Sequence, residues 1–336
     1  MNNITIKTLA ERLQVSVATV SKALKDSHEI GELTKQRVRQ MAEELNYVPN
    51  LYASSLRRRK SKTIAVVLPE VADSYFSLAI NGIESIAQKK GYHVLIYLTH
   101  ENYRKQEEIL KDFQSGRVDG VLMSTTTETT DHCHVVDLQI SGVPIVFFDR
   151  VCEDIETAKI TTNDFECGYI AGELLLKQGC KKIAFLSISS SLSISNKRAN
   201  GFHKALADKN IKTSPKDIID CKNDESFNYS HLKKILSHKN RPDGIIASVE
   251  KLTTTVYLVC KELNLRIPGD IKIISFSNLV SAPILNPSLT TITQPAFEMG
   301  AVAASILFKA LEKPGFQLKK ESMVIPSVLV ERDSTK

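Results

Sequence analysis

Thr5-Ile6-Lys7-Thr8-Leu9-Ala10-Glu11-Arg12-Leu13-Gln14-Val15-Ser16-Val17-Ala18-Thr19-Val20-Ser21-Lys22-Ala23-Leu24 is the stretch whose reading decides the fold of the N-terminal region. Thr5 can cap a helix whose apolar face is Leu9, Ala10 and Leu13. Ser16 can cap a second, with Val20 and Leu24 inward. Only Gln14-Val15-Ser16 lies between them, and two helices with so short a turn form a helix-turn-helix. A third helix follows, with Thr34 as its expected cap and Val38, Met41, Ala42 and Leu45 at helical spacing. The second helix presents Val17, Ala18, Ser21 and Lys22 on its outer side, and its first turn is the part that reaches base edges in a major groove. Val17 and Ala18 are small and apolar, as a thymine methyl requires. Lys22 can donate to guanine O6 and N7. Ser16, Thr19 and Ser21 can bind phosphates. The same pattern, taken alone, also suits a small helical bundle with no role on DNA.

Charge points the same way. The chain carries +6 over 336 residues. Residues 1–62 hold twelve Lys and Arg against six Asp and Glu, so the whole excess lies there and the remainder is neutral. A polyanion partner for that segment is the natural inference, against a merely solvated basic tail. Tyr47-Val48-Pro49-Asn50 should end the third helix, because proline disfavours helical geometry before it. Asn50 can cap a short helix over Leu51 to Arg58, which would be marginal alone in water. Arg57-Arg58-Arg59-Lys60 adds candidate phosphate contacts.

From Thr63 the texture changes. Apolar runs (Ile64–Leu68, Val94–Leu98, Val118–Met123, Pro144–Phe148, Ile183–Ile188, Gly244–Ala247, Ile271–Phe276) alternate with helical stretches such as Ser77–Lys89, Phe165–Lys177, Lys197–Ala207 and Thr253–Leu263. Such alternation argues for parallel sheets covered by helices on both faces. The order repeats after Thr161-Thr162, so two lobes are expected. The final part, Leu289–Thr293, a helix over Phe297–Leu311 and then Met323–Leu329, should cross back between them. Ligand would lie in the cleft at the strand carboxyl ends.

The expected organisation is therefore an α/β core of two parallel, doubly wound lobes behind an all-α headpiece. Residues 1–47 form the helix-turn-helix, 48–62 a hinge and linker, and 63–336 the core. Lobe 1 takes about 63–161 plus 295–324, and lobe 2 about 162–292 plus 325–336.

Residues 4–60 resemble the headpiece of the lactose-repressor (LacI/GalR) family. The matching stretches are Ile6–Ala10, Val15–Leu24, Thr34–Val38 and Leu45–Asn50, continuing through Ala53, Ser54, Ser55 and Leu56. The resemblance implies that Val17, Ala18 and Lys22 read bases, and that Thr5, Asn50, Ala53 and Arg57 join the DNA contacts. It implies that paired hinge helices fold on double-stranded operator DNA, where Leu56 wedges into the minor groove and kinks it. Without it, Leu56 would read as a linker leucine. Family members usually carry Arg where this chain has Lys22 and Asn where it has Lys25, and Lys lacks the planar fork that Arg lays on guanine.

The core is similar to the family's periplasmic-binding-protein-like core. Asp73-Ser74-Tyr75-Phe76-Ser77, Phe147-Phe148-Asp149-Arg150, Asn163-Asp164 and Arg198-Ala199-Asn200-Gly201-Phe202 match its landmarks. The implied effector contacts are Tyr75, Phe76, Ser124, Asp149, Asn163, Arg198, Ser277 and Asn278. Aromatic rings with Asp and Arg suit a sugar, although Phe76 could simply pack, Asp149 cap a helix and Arg198 pair with an acid. Two departures stand out. Ser248-Val249-Glu250 replaces the usual Asn-Asp, and Ser275-Phe276-Ser277 replaces Gly-Phe-Asp, so the acid that often binds effector there is missing. The resemblance further implies a homodimer, with Gly82, Ile83 and Ile86 near its face, and a regulator whose lobes respond to an effector.

Other classes fare worse. No phosphate-loop, dinucleotide-binding or hydrolase motif occurs, and neither cofactor nor metal is expected. Asp131-His132-Cys133-His134 has the wrong spacing for one helix face, so Asp131 as a helix cap is simpler. Gly168 and Gly172 read as close-packing sites. Six scattered cysteines indicate reduced thiols. The N-terminus lacks a signal-peptide pattern and no apolar run could span a bilayer, so a cytoplasmic, non-membrane protein is expected. A sugar-binding receptor or a sugar-active enzyme of the same two-lobed fold are the alternatives. The first would need an export signal, the second a nucleophile or paired carboxylates in the cleft.

Overall fold

The computed structural model describes residues 4–47, 60–128 and 131–336. Two compact units divide between Arg59 and Lys60, each with its own core.

The first unit holds three helices, α1 (Ile6–Leu13), α2 (Val17–Leu24) and α3 (Glu32–Glu44). The Thr5 hydroxyl accepts from the Thr8 amide at 3.3 Å, and the Thr8 hydroxyl accepts from the Thr5 amide at 3.4 Å, closing a capping box. Ser16 caps α2 by accepting from the Thr19 amide at 3.0 Å. All three helices end alike. Gln14, Asp26 and Asn46 take left-handed backbone, and the next amide reaches back five residues, Val15 to Ala10, Ser27 to Lys22 and Tyr47 to Ala42. Thr34 does not cap α3. The helix starts after Gly31, so Thr34 lies inside its first turn. Glycine tolerates the cap position, and Glu32 supplies negative charge to the helix start. Leu9, Leu13, Val20, Ala23, Val38 and Ala42 fill the centre.

The second unit is built on two six-stranded sheets. β1 (Thr63–Leu68), β2 (His93–Leu98), β3 (Gly120–Met123), β4 (Ile145–Phe148), β5 (Lys159–Thr162) and β11 (Met323–Ile325) form one, ordered β11-β5-β4-β3-β1-β2 and parallel throughout. β6 (Ile183–Ser187), β7 (Ile218–Asp220), β8 (Gly244–Ala247), β9 (Lys272–Phe276), β10 (Thr290–Thr293) and β12 (Val328–Val330) form the other, ordered β12-β10-β9-β8-β6-β7. There only the β10–β12 pair is antiparallel. Helices α4 (Ser74–Lys89), α5 (Tyr103–Phe113), α6 (Cys133–Ile140) and α11 (Ala296–Glu312) cover the first sheet. Helices α7 (Asp164–Lys177), α8 (Ser193–Asp208), α9 (Glu225–Leu236) and α10 (Glu250–Glu262) cover the second.

β1 shows why a parallel strand reads as one apolar run. Every residue is buried, yet Ile64, Val66 and Leu68 meet α4 and α11 while Ala65 and Val67 meet α5 and α6. The chain crosses between the sheets three times, after β5, after β10 and between β11 and β12. The Met323–Leu329 run, read as one segment, is thus two strands, and Pro326 stands at the break.

Close helix contacts fix both lobes. A Cβ on Gly82 would lie 2.0 Å from the Phe297 carbonyl oxygen, and one on Gly300 would lie 2.0 Å from that of Ala79. Gly82 and Ile83 therefore belong to the interior between α4 and α11, and Ile86 packs on the same core. Gly82 and Ile83 are themselves buried in that seam, while Ile86 beside them is half-buried. In the other lobe a Cβ on Gly168 would meet the Arg198 carbonyl oxygen at 1.9 Å, which sets α8 against α7.

Candidate nucleic-acid interface and ligand cleft

On α2 the residues free of the headpiece core face outward together. Ala18 and Lys22 are exposed, while Val17, Thr19 and Ser21 are half-buried. The Ser16 hydroxyl is committed to its cap and also pairs with the Thr19 hydroxyl at 2.8 Å. Lys22 forms an ion pair with Glu29. Both partners are about half exposed, so the pair is weak and can yield to another anion. Thr5 serves as the α1 cap. Asn50, Ala53, Leu56 and Arg57 lie outside the described residues.

The cleft of the second unit lies where the strands of both sheets end. Asp73, Tyr75, Phe76, Asp149 and Arg150 line it from lobe 1. Arg198, Glu250, Phe276, Ser277 and Asn278 line it from lobe 2. Asp149 follows β4 in a left-handed backbone, with φ 61°, a conformation aspartate tolerates and one common at functional turns. Burial pushes its carboxyl up to about 6, against the opposing pull of Arg150 and Arg198. Asp73 caps α4 through the Tyr75 amide at 2.9 Å. Its carboxyl is also raised to about 6, by burial first and then by the nearby Glu250 charge.

Arg198 is held rigidly. Its Nε donates to Asp164 at 2.7 Å, its Nη1 to the Ser248 carbonyl at 2.7 Å, and the guanidinium lies 4.1 Å from the Phe276 ring centroid. Its Nη2 has no hydrogen-bond partner although the side chain is only 2% exposed. Arg198 thus pairs with an acid and still presents one unspent donor to the cleft. A buried guanidinium with an unmade bond is costly, and an acceptor placed there would remove that cost.

The structure brings six of the eight sequence-named contacts to this cavity: Tyr75, Phe76, Asp149, Arg198, Ser277 and Asn278. Tyr75 contributes its ring alone, because its hydroxyl turns into the lobe 1 core and donates to the Met299 sulfur at 3.3 Å. Ser124 sits behind Asp149, 3.5 Å from its carboxylate. Asn163 is spent elsewhere; its side-chain oxygen accepts from the Ser327 amide at 2.8 Å and fixes the crossover before β12. Neither Ser124 nor Asn163 lines the cavity.

Sequence reasoning missed Glu250 as a cleft residue. Its carboxylate accepts from the Ser277 hydroxyl at 2.7 Å and the Asn278 amide at 3.0 Å. An acid is therefore present beside Ser277 after all, supplied from the start of α10. The signal was the position itself, since the residues directly after β8 must face the cleft at the strand carboxyl ends. Asp73 and Arg150 were likewise legible as neighbours of named residues.

Among the described residues no group of three or more His, Cys, Asp and Glu side chains is disposed to hold a metal. Asp131 accepts from the Cys133 amide at 2.7 Å at the start of α6. No helix among them is long and apolar enough to cross a membrane.

A helix-turn-helix unit joined to a two-lobed α/β core defines a DNA-binding transcriptional regulator, and comparison with known proteins agrees. Residues 5–50 match the model of bacterial regulatory proteins, lacI family, and residues 173–335 match that of a periplasmic binding protein-like domain. The transcriptional repressor PurR of Photobacterium profundum is 30% identical over 331 residues, covering 96% of this chain and 98% of that one. The chain belongs to the lacI family. Among solved structures, the lac repressor dimer bound to operator and the anti-inducer ONPF superimposes with a TM-score of 0.84 at 21% identity, covering 99% of each chain. A LacI family regulator from Enterococcus faecium with bound ribose gives 0.71 at 25% identity, covering 81% of this chain and 98% of that one.

Proposed function

We propose that this regulator is a homodimeric repressor that grips a two-fold operator with its headpieces and responds to a carbohydrate held between its lobes. α2 enters the major groove, with Val17, Ala18, Ser21 and Lys22 toward the bases and Thr5, Ser16 and Thr19 toward phosphates. Leu56 acts in the minor groove, and Asn50, Ala53 and Arg57 join the DNA contacts. Dimerisation supplies the second half-site. Bases and phosphates lie in the same compartment as the chain that reads them, so the protein works in the cytoplasm.

The observation that carries the ligand half is Arg198 beside Asp149. A fixed guanidinium with an unspent donor faces a carboxylate across the cleft, walled by the Phe76 and Phe276 rings. Paired donor and acceptor groups over apolar walls are what adjacent sugar hydroxyls and a sugar ring face require. The ribose bound by the Enterococcus faecium relative supports the same class. The cavity in the cleft has a volume of about 20 Å³, room for one water. Entry of a sugar therefore requires the lobes to part, and an effector shifts the equilibrium between lobe arrangements by its differential affinity.

The test is a calorimetric and thermal-shift screen of the full chain against pentoses, hexoses and sugar phosphates. At least one should bind and raise the melting temperature. Arg198→Ala should weaken that ligand by roughly tenfold to a hundredfold, the range for one charge-assisted bond. Binding by no sugar, or full binding by a folded Arg198→Ala, would remove the carbohydrate reading.

A further inference from the structure

Glu250 ties the two lobes together more completely than any other side chain described in the cleft. It opens α10 on lobe 2. One carboxylate oxygen accepts from the Ser74 hydroxyl at 2.7 Å and the Ser74 amide at 3.2 Å, in the first turn of α4 on lobe 1. The other accepts from the Ser277 hydroxyl at 2.7 Å and the Asn278 amide at 3.0 Å on lobe 2. A carboxylate offers about four lone-pair sites, so this one is saturated. Two donors are fixed backbone amides, and one belongs to the start of a 16-residue helix, where negative charge is favoured. The four groups form a carboxylate cradle divided between the lobes.

The other links across the cleft differ in kind. Lys197–Glu153 at 2.8 Å is about half exposed on both sides, and Lys251–Glu70 at 3.1 Å about a quarter exposed. The exposed Lys197–Glu153 pair contributes little, and Lys251–Glu70 is a single contact from a lysine that also donates to Asn223. Ser191 donates to the Thr127 carbonyl with a single bond.

Glu250 borders two spaces. One is the small cavity with Arg198, its unpartnered Nη2 and Asp149. The other is a chamber of about 420 Å³ lined by Glu70, Lys222, Asn223 and Lys251. Glu250 and Asp73 line both.

We propose that Glu250 is the built-in occupant of this cradle, holding the lobes shut with no small molecule bound and closing the way to Arg198. The cradle's ligand class is a carboxylate, and in this chain the carboxylate is its own. An external effector reaches the small cavity only after the Ser74–Glu250 bonds break. This extends the proposal of an effector cleft and rests on it, yet the latch can be tested with no effector present.

The measurement is a pulsed electron resonance distance between the lobes of the full chain. One label goes on Cys133, the exposed cysteine of lobe 1; the other five cysteines are buried. The second goes on Lys216→Cys, an exposed site on lobe 2. With the labelled chain diluted into excess unlabelled chain, so that one protomer of a dimer carries both labels, the wild-type background should give one narrow distance without ligand. Glu250→Ala should add a longer population, and tens of millimolar sodium acetate should return it to the wild-type distance where sodium chloride does not. Glu250→Gln keeps the shape but turns an amide nitrogen toward donors, so it should open in part and respond weakly to acetate. An unchanged distance in both variants would overturn the latch, because other contacts then hold the lobes. An opened, folded Glu250→Ala that ignores acetate would overturn the cradle. Should Glu250→Ala fail to fold, Glu250→Gln decides, with an unshifted distance counting against the proposal. None of these outcomes bears on whether wild type binds a sugar, which the thermal-shift screen decides separately.

Discussion

Asp149 and Asp73 face one small cavity, and burial lifts both carboxyls to about 6, from an ordinary value of 3.8. The sign of the linkage follows from that direction. A carboxyl whose pKa is higher folded than unfolded contributes stability that is fully present below 3.8 and is lost as pH rises through about 6. Near neutral pH both groups are charged and the cleft bears that cost. A tenfold change in a group's proton affinity corresponds to about 1.4 kcal/mol. Carbon-detected carboxyl titration should show two aspartates with midpoints near 6. One should vanish in Asp149→Asn and the other in Asp73→Asn. Midpoints near the ordinary aspartate value for both would mean that the cleft is wetter and more open. At this scale the sequence spoke unevenly. Arg198 and Asp149 could be read from motifs, because each motif places its residue at the end of a strand or on a cleft-facing helix. Glu250 could be placed in the cleft from its position after β8, but its partners could not be read, because they are Ser277, 27 residues later, and Ser74, 176 residues earlier. Asn163 and Ser124 match the family pattern by position, yet the local fold spends Asn163 on a crossover strand and sets Ser124 behind Asp149.

The helices hold the cleft residues in place through backbone contact. Gly168 lets α7 approach the Arg198 carbonyl, and Gly201 lets α8 approach that of Phe165. Any side chain on Gly168 must push α8 away and carry Arg198 with it. Gly168→Ala should therefore destabilise the core by about 1–3 kcal/mol or more, as overpacking does, and weaken the effector even where the protein still folds. Urea unfolding and calorimetry check the two effects, and a neutral substitution would contradict the packing account. Elements with strong caps or continuous apolar runs were legible from sequence. Those that escaped notice were short or polar. β5 (Lys159-Ile160-Thr161-Thr162) and β7 (Ile218-Ile219-Asp220) are too brief to show periodicity. α5 hides three buried residues, Gln106, Leu110 and Phe113, among many charged ones. α3 began earlier than its expected cap because a glycine and an acid did the work that a threonine side chain was expected to do. Gly82 itself packs in an internal seam against Phe297, a use of a small residue on a helix that spacing alone does not announce.

At the scale of the whole molecule, charge and fold divide the labour. All of the net +6 lies in residues 1–62, while the neutral remainder folds into two parallel-sheet lobes around a polar cleft. The fold class and the DNA-reading role are both legible in the amino-acid sequence, because the helix-turn-helix spacing and the strand-helix alternation are local signals that agree with each other. In this protein the α2 face reads a particular DNA sequence while the basic segment supplies affinity. The decisive measurement is fluorescence anisotropy of the full chain across a salt series, on the duplex it selects from a random-sequence pool and on a scrambled version of that duplex. The logarithmic salt slope should be steeper than roughly −5, as many phosphate contacts require. The selected duplex should be preferred by roughly a thousandfold or more. Lys22→Ala should lower binding to the selected duplex by about 1–3 kcal/mol while leaving the scrambled duplex nearly unchanged. A flat salt response, no duplex enriched from the pool, equal binding to both duplexes, or a Lys22→Ala variant that loses both equally would overturn this reading.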